Sequence, residues 1–161
     1  MGMPFSADEV FEMAEQIERN GAKFYRAAAK KLPAVRQVLL DLAAMEDEHE
    51  KTFAAMRVEL SACQKEPPVF DPDGQAQAYL RVMADGHIFN IKADPAKLLA
   101  EQKSLQEVLK TAIGVERDSI AFYVGLKDAV SRKAGKDKVE AIIKEEMSHV
   151  VTLSQKLADL K

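Results

Sequence analysis

A chain of 161 residues suffices for one sizeable core and is short for two independent ones. With 47% hydrophobic and 30% charged residues it is neither disordered nor of low complexity, and 23 Lys and Arg against 26 Asp and Glu, a net charge of −3, leave no basic footprint for nucleic acid or an anionic membrane. No apolar run approaches the ~18 residues of a membrane span, Met1 to Asp8 lacks a secretory signal, and the single cysteine, Cys63, excludes a disulfide framework or a cysteine-rich metal knuckle. The sequence therefore reads as cytoplasmic, and any metal chemistry falls to carboxylates and histidines.

In chain order, Ser6 followed by Glu9 forms a capping box, and a first helix is expected from there to about Lys31. Leu32-Pro33 interrupts it, since proline has no amide proton and suits the first turn of a new helix. A second helix is expected to about Lys65. Pro67, Pro68 and Pro72, with Asp71, Asp73 and Gly74, open a connecting segment that lasts to Asp94-Pro95, an N-cap followed by a first-turn proline. A third helix is expected from there to roughly Arg132. Gly135 marks its end and Asp137 caps a fourth that runs to the C-terminus. No stretch alternates as a strand does. The expected fold is all-α: one four-helix domain over 1–161, with hairpins at 6–65 and 95–160 joined by a long crossover at 66–94.

Each long helix carries an apolar stripe at helical spacing, and each stripe is interrupted by a glutamate. On the first helix Glu18 breaks Val10, Ala14, Ile17, Tyr25 and Ala28. The second runs Val35, Val38, Leu42, Glu46, His49, Phe53, Met56, Leu60. On the third, Glu116 breaks Leu105, Leu109, Ala112, Ile120 and Tyr123. The fourth runs Val139, Ile142, Ile143, Glu146, His149, Val150, Leu153, Leu157. An internal repeat links the four. Glu18-Arg19 with Phe24-Tyr25 returns as Glu116-Arg117 with Phe122-Tyr123, an offset of 98, and Glu46, His49 and Thr52 return as Glu146, His149 and Thr152, an offset of 100. The chain reads as two related hairpins.

Four ionised glutamates in an apolar core would each cost several kcal/mol unless compensated. Two divalent ions balance them by count, +4 against −4. Residues three apart share a helix face, so Glu-x-x-His lets a carboxylate bridge two ions while the imidazole binds one. Two such motifs, plus one glutamate from each remaining helix, form the ligand set of di-iron and di-manganese carboxylate bundles. Carboxylate with imidazole suits iron or manganese, and zinc can substitute.

The runs IERNGAKFYRAAA, LAAMEDEHEKTF, GVERDSIAFY and IIKEEMSHVVTL resemble the rubrerythrin-type members of the ferritin-like superfamily, over all four long helices. The resemblance implies a ferritin-like bundle with Glu18, Glu46, His49, Glu116, Glu146 and His149 as ligands of two iron ions. It also implies that Tyr25 and Tyr123 support the ligands from facing helices. Two departures are visible. The peroxidase members carry a further glutamate where this chain has Ser119, and they usually carry a rubredoxin domain with four cysteines, so a separate electron donor or reductant is expected here. Bacterioferritins resemble the same ligand set, but they add a fifth helix for which the twelve residues after His149 leave no room, and Asp47 stands where they place a haem-binding methionine. The expected function is a non-haem di-iron oxidoreductase whose reduced site meets peroxide or dioxygen. The alternatives are an iron-storage or ferroxidase protein and a non-catalytic metal-binding bundle.

His87, with Ala84 three residues before it, is read as structural or exposed, and Cys63 as a buried or idle thiol. Tyr79, Val82, Met83, Ile88 and Phe89 give the crossover an apolar group that is expected either to cover the bundle or to meet another subunit, and a homodimer is expected.

Overall fold

The computed structural model describes residues 7–62, 73–86, 95–130, 132 and 135–160. Their order is α1 (Ala7–Lys31), a 3-10 turn (Pro33–Val35), α2 (Arg36–Ala62), α3 (Gln75–Gly86), α4 (Pro95–Ala100), α5 (Leu105–Ala129) and α6 (Lys136–Ala158). The helices α1, α2, α5 and α6 form the bundle. Within each hairpin the partners pack closely, α1 along α2 and α5 along α6, whereas backbones across the seam between hairpins approach at few points.

The apolar stripes explain this packing. Val10, Ala14, Ile17, Tyr25 and Ala28 of α1 are all buried, as are Leu42, Phe53 and Met56 of α2 and Val139, Ile142, Ile143 and Leu153 of α6. Burying one such large apolar side chain stabilises by about 1.5–3 kcal/mol. Toward one end of the bundle the ring centroids of Phe11 and Phe53 lie 6.2 Å apart and those of Phe53 and Tyr123 5.1 Å apart, which joins both hairpins in one core. On the outside of the first hairpin Arg57 meets Asp8 at 2.6 Å, Arg19 meets Glu50 at 2.6 Å and Arg26 meets Asp47, an antiparallel ladder that sets register more than stability.

Several expectations are corrected. The third helix does not run unbroken from Pro95. It stops at Ala100 and restarts at Leu105, because the Ser104 hydroxyl accepts from the Glu107 amide at 3.2 Å while the Glu107 carboxylate accepts from the Lys103 amide at 2.6 Å. Lys31 holds the stub α4 by donating to the carbonyls of Leu99 and Gln102 at 3.2 and 2.7 Å. Asp137 is not the cap of α6. That place is taken by Gly135, whose φ of 102° is costly for other residues, and Asp137 sits in the first turn. The described part of the crossover takes one of its two expected places, on the bundle: α3 buries Leu80 and leans on α5, where the Tyr79 hydroxyl donates to the Ala121 carbonyl at 2.8 Å. A Cβ on Gly125 would lie 2.5 Å from the Tyr79 ring, so this contact needs glycine there. Val35, Val38, Leu105, Ile120, Val150 and Leu157 are only half-buried, while Leu39, Val108, Phe122 and Leu126 are core residues outside the expected stripes. Ser6, Cys63, the prolines at 67, 68 and 72, His87, Ile88, Phe89 and Asp94 lie outside the described residues.

Candidate metal centre

Midway along the bundle the four interrupting glutamates and both motif histidines converge. Their exposures run from 1% for Glu18, Glu146 and His149 to 4% for Glu46, so water does not solvate them. Donor atoms of Glu18, Glu46, His49 and Glu146 lie within 4.8 Å of one another, and so do those of Glu46, Glu116, Glu146 and His149. The two groups share Glu46 and Glu146, the glutamates of the Glu-x-x-His motifs. Each histidine and one lone glutamate complete one half. The imidazole rings lie nearly parallel with centroids 5.8 Å apart. Gly21 makes room for this on α1, since a Cβ there would stand 3.3 Å from the Glu46 carboxyl carbon.

The inward atoms are close without being hydrogen-bonded. His49 Nδ1 lies 2.9 Å from Glu146 Oε1 and His149 Nδ1 lies 3.0 Å from Glu146 Oε2, yet all four of these buried atoms lack hydrogen-bond alignment with any partner among the described residues, as does Glu18 Oε2. Buried polar atoms are nearly always paired, so donor atoms gathered within 4.8 Å of one another without aligned partners fit a cation. Four carboxylates and two imidazoles fit two divalent ions in number, charge and donor type.

In the metal-free state these groups crowd one another. Burial raises Glu46 well above the ordinary carboxylate range, and the charges of Glu18 and Glu146 add to it. Burial likewise brings Glu116 to about 8 against the opposing pull of His149. Burial and Glu18 oppose ionisation of Glu146, but His149 and His49 outweigh them and hold it below its usual value. Burial lowers both imidazoles, yet the surrounding carboxylates prevail and leave His49 at about 11 and His149 at about 9. Glu146 is thus the anion shared by two imidazoliums, while burial and like charges oppose the ionisation of Glu46.

Both tyrosines act across the seam. The Tyr25 hydroxyl donates to Glu116 and the Tyr123 hydroxyl to Glu18, each buried and each crossing from one hairpin to the other. Burial, with Glu116 for Tyr25 and Glu18 for Tyr123, raises both phenols well above 10, so they remain donors. Sequence reasoning missed Glu145, whose Oε2 lies 2.7 Å from Nε2 of His49. The signal available was its adjacency to Glu146, but only the approach of α2 to α6 reveals which ring it meets. Ser119 is buried on α5, so that turn brings no further carboxylate to the core.

A helical bundle of two hairpins with a central carboxylate and imidazole cluster defines a ferritin-like protein of the carboxylate-bundle class. The chain matches the rubrerythrin family over residues 9–157 and belongs to it. Among solved structures it is similar to a Thermotoga maritima chain assigned to the ferritin-like diiron-carboxylate proteins, with 24% identity, a TM-score of 0.73 and 100% of each chain covered, a likeness that concerns the fold. No curated protein matches the chain. No helix among the described residues is long and apolar enough to cross a membrane.

Proposed function

We propose that Glu18, Glu46, His49, Glu116, Glu146 and His149 hold two iron ions, and that the chain is a non-haem di-iron oxidoreductase acting on hydrogen peroxide or dioxygen. The observation that carries this reading is the set of buried, misaligned donor atoms in two overlapping groups. Glu18 and His49 would hold one ion, Glu116 and His149 the other, with Glu46 and Glu146 between them. Manganese or zinc would find the same donors. When bound, the pair supplies two electrons for reduction of an O–O bond. The protein's share is to orient and to exclude. Tyr25 and Tyr123 fix the lone carboxylates of both halves, so that neither rotates freely as charge on the site changes. Phe53 and the buried residues around it keep water from the cluster. Reductant is drawn from a separate donor, and the exposed Tyr79 and Val82 of α3 face a second copy in a homodimer.

Stopped flow tests the function. Anaerobic protein loaded with Fe(II) and given peroxide or dioxygen should develop the near-ultraviolet absorption of ferric iron within seconds, and reductant should reverse it. An unchanged spectrum with two irons per chain would reduce the reading to a metal-binding bundle.

A further inference from the structure

The internal repeat gives every inward group a counterpart in the other hairpin, but the symmetry fails one layer out. His49 and His149 both turn Nδ1 toward the carboxylates. On the far side of His49, Nε2 meets Glu145 at 2.7 Å, whereas Nε2 of His149 is buried with no hydrogen-bond partner among the described residues. The offset of 100 explains the difference, because the residue that corresponds to Glu145 is Met45. A thioether is a weak acceptor and cannot stand in for a carboxylate.

This matters for any cation at the centre. An imidazole that gives its Nδ1 lone pair to a metal carries its proton on Nε2. A carboxylate that accepts this proton's hydrogen bond fixes the tautomer, locks the ring and strengthens the other nitrogen as a donor. Among the described residues His49 has that support and His149 does not. Resting on the metal-pair reading above, we propose that Glu145 is a positioning residue that makes the halves unequal, so that the Glu18 and His49 half takes the first divalent ion and the Glu116 and His149 half the second.

Repulsion between two cations would by itself weaken the second step, so two resolved steps in the wild type decide nothing, and the variants carry the test. The full-length metal-free chain is titrated with Co(II), followed by its visible absorption, as wild type, Glu145→Ala and Glu145→Gln, each also in a His49→Ala and a His149→Ala background. Glu145→Ala is expected to weaken the first step by roughly 10- to 100-fold. It should do the same where His49 is the remaining histidine and change nothing where His149 is. Glu145→Gln keeps an acceptor oxygen and should recover some of the loss. An equal effect in both histidine backgrounds, or none in either, overturns the proposal while leaving the metal pair standing. A wild-type chain that binds no Co(II) overturns both.

Discussion

The two shared glutamates should respond with opposite sign when each is replaced by glutamine in metal-free protein. Glu146 is the ionised partner of both imidazoliums, so Glu146→Gln breaks a buried ion pair. Such a loss costs about 3–5 kcal/mol, and each kcal/mol is worth about 2–4 °C in a chain of this size, giving a fall of roughly 6–20 °C. Burial and its anionic neighbours oppose the ionisation of Glu46. Glu46→Gln therefore removes a group whose charged form the fold opposes and keeps a neutral side chain of the same shape. Its metal-free melting temperature should be unchanged or higher. With metal the signs converge, because both substitutions remove a donor shared by two ions and both should lower metal content and the melting temperature of the loaded protein. Circular dichroism melts of stripped and loaded protein, with elemental analysis, read all of this. The reasoning is refuted if stripped Glu46→Gln melts as low as stripped Glu146→Gln, or if both variants keep two ions per chain.

Tyr25→Phe and Tyr123→Phe each strand a buried carboxylate oxygen and should cost about 1–3 kcal/mol in urea unfolding, whereas loss of less than about 0.5 kcal/mol would deny the crossed pairs a structural role. Glu116 rises from 4.5 to about 8 and His149 from 6.5 to about 9 in the folded metal-free chain, so their stabilising shares are complete below 4.5 and 6.5 and are lost as pH climbs through 8 and 9. Stripped protein should therefore melt lower at pH 9 than at pH 6. Metal binding releases those same protons, so the gap between loaded and stripped melts should widen over that range, and a narrowing gap would contradict the assignment. Gly125→Ala should drive Tyr79 off α5 and speed hydrogen exchange in α3 while the metal content is kept, and unchanged exchange would show that the contact does not hold α3 down.

The cluster was legible in the sequence because a polar residue in an apolar stripe is expensive, and four such residues in repeated register leave few explanations. The crossed tyrosines were implied by the family resemblance and not by spacing alone: seven residues from its own helix's glutamate, each can reach an acceptor only on a facing helix, yet a tyrosine in a core stripe equally suits simple packing. Other features depend on contacts that no local pattern encodes. Glu101 to Ser104 contains no proline or glycine, and the break there reads clearly only once Ser104 is seen capping α5 and Lys31 holding the end of α4. The helix α3 shows an apolar face too short to separate from a loop until Leu80 is found in the core. Glu145 lies on the half-exposed side of α6, and its partner belongs to the other hairpin.

The crossed tyrosines carry one more consequence. Tyr25 reaches Glu116 and Tyr123 reaches Glu18, so residue i of one hairpin meets residue j of the other and the reverse also holds, which is the mark of an isologous interface. A single hairpin bearing Glu, Tyr and Glu-x-x-His would find in a copy of itself every group that the cluster needs. The present chain is the tethered form of such a two-fold pair. The connection between hairpins replaces a concentration-dependent encounter with an intramolecular one, at an effective concentration on the order of millimolar. Dilution can separate a pair of subunits, but it cannot separate the halves of this centre.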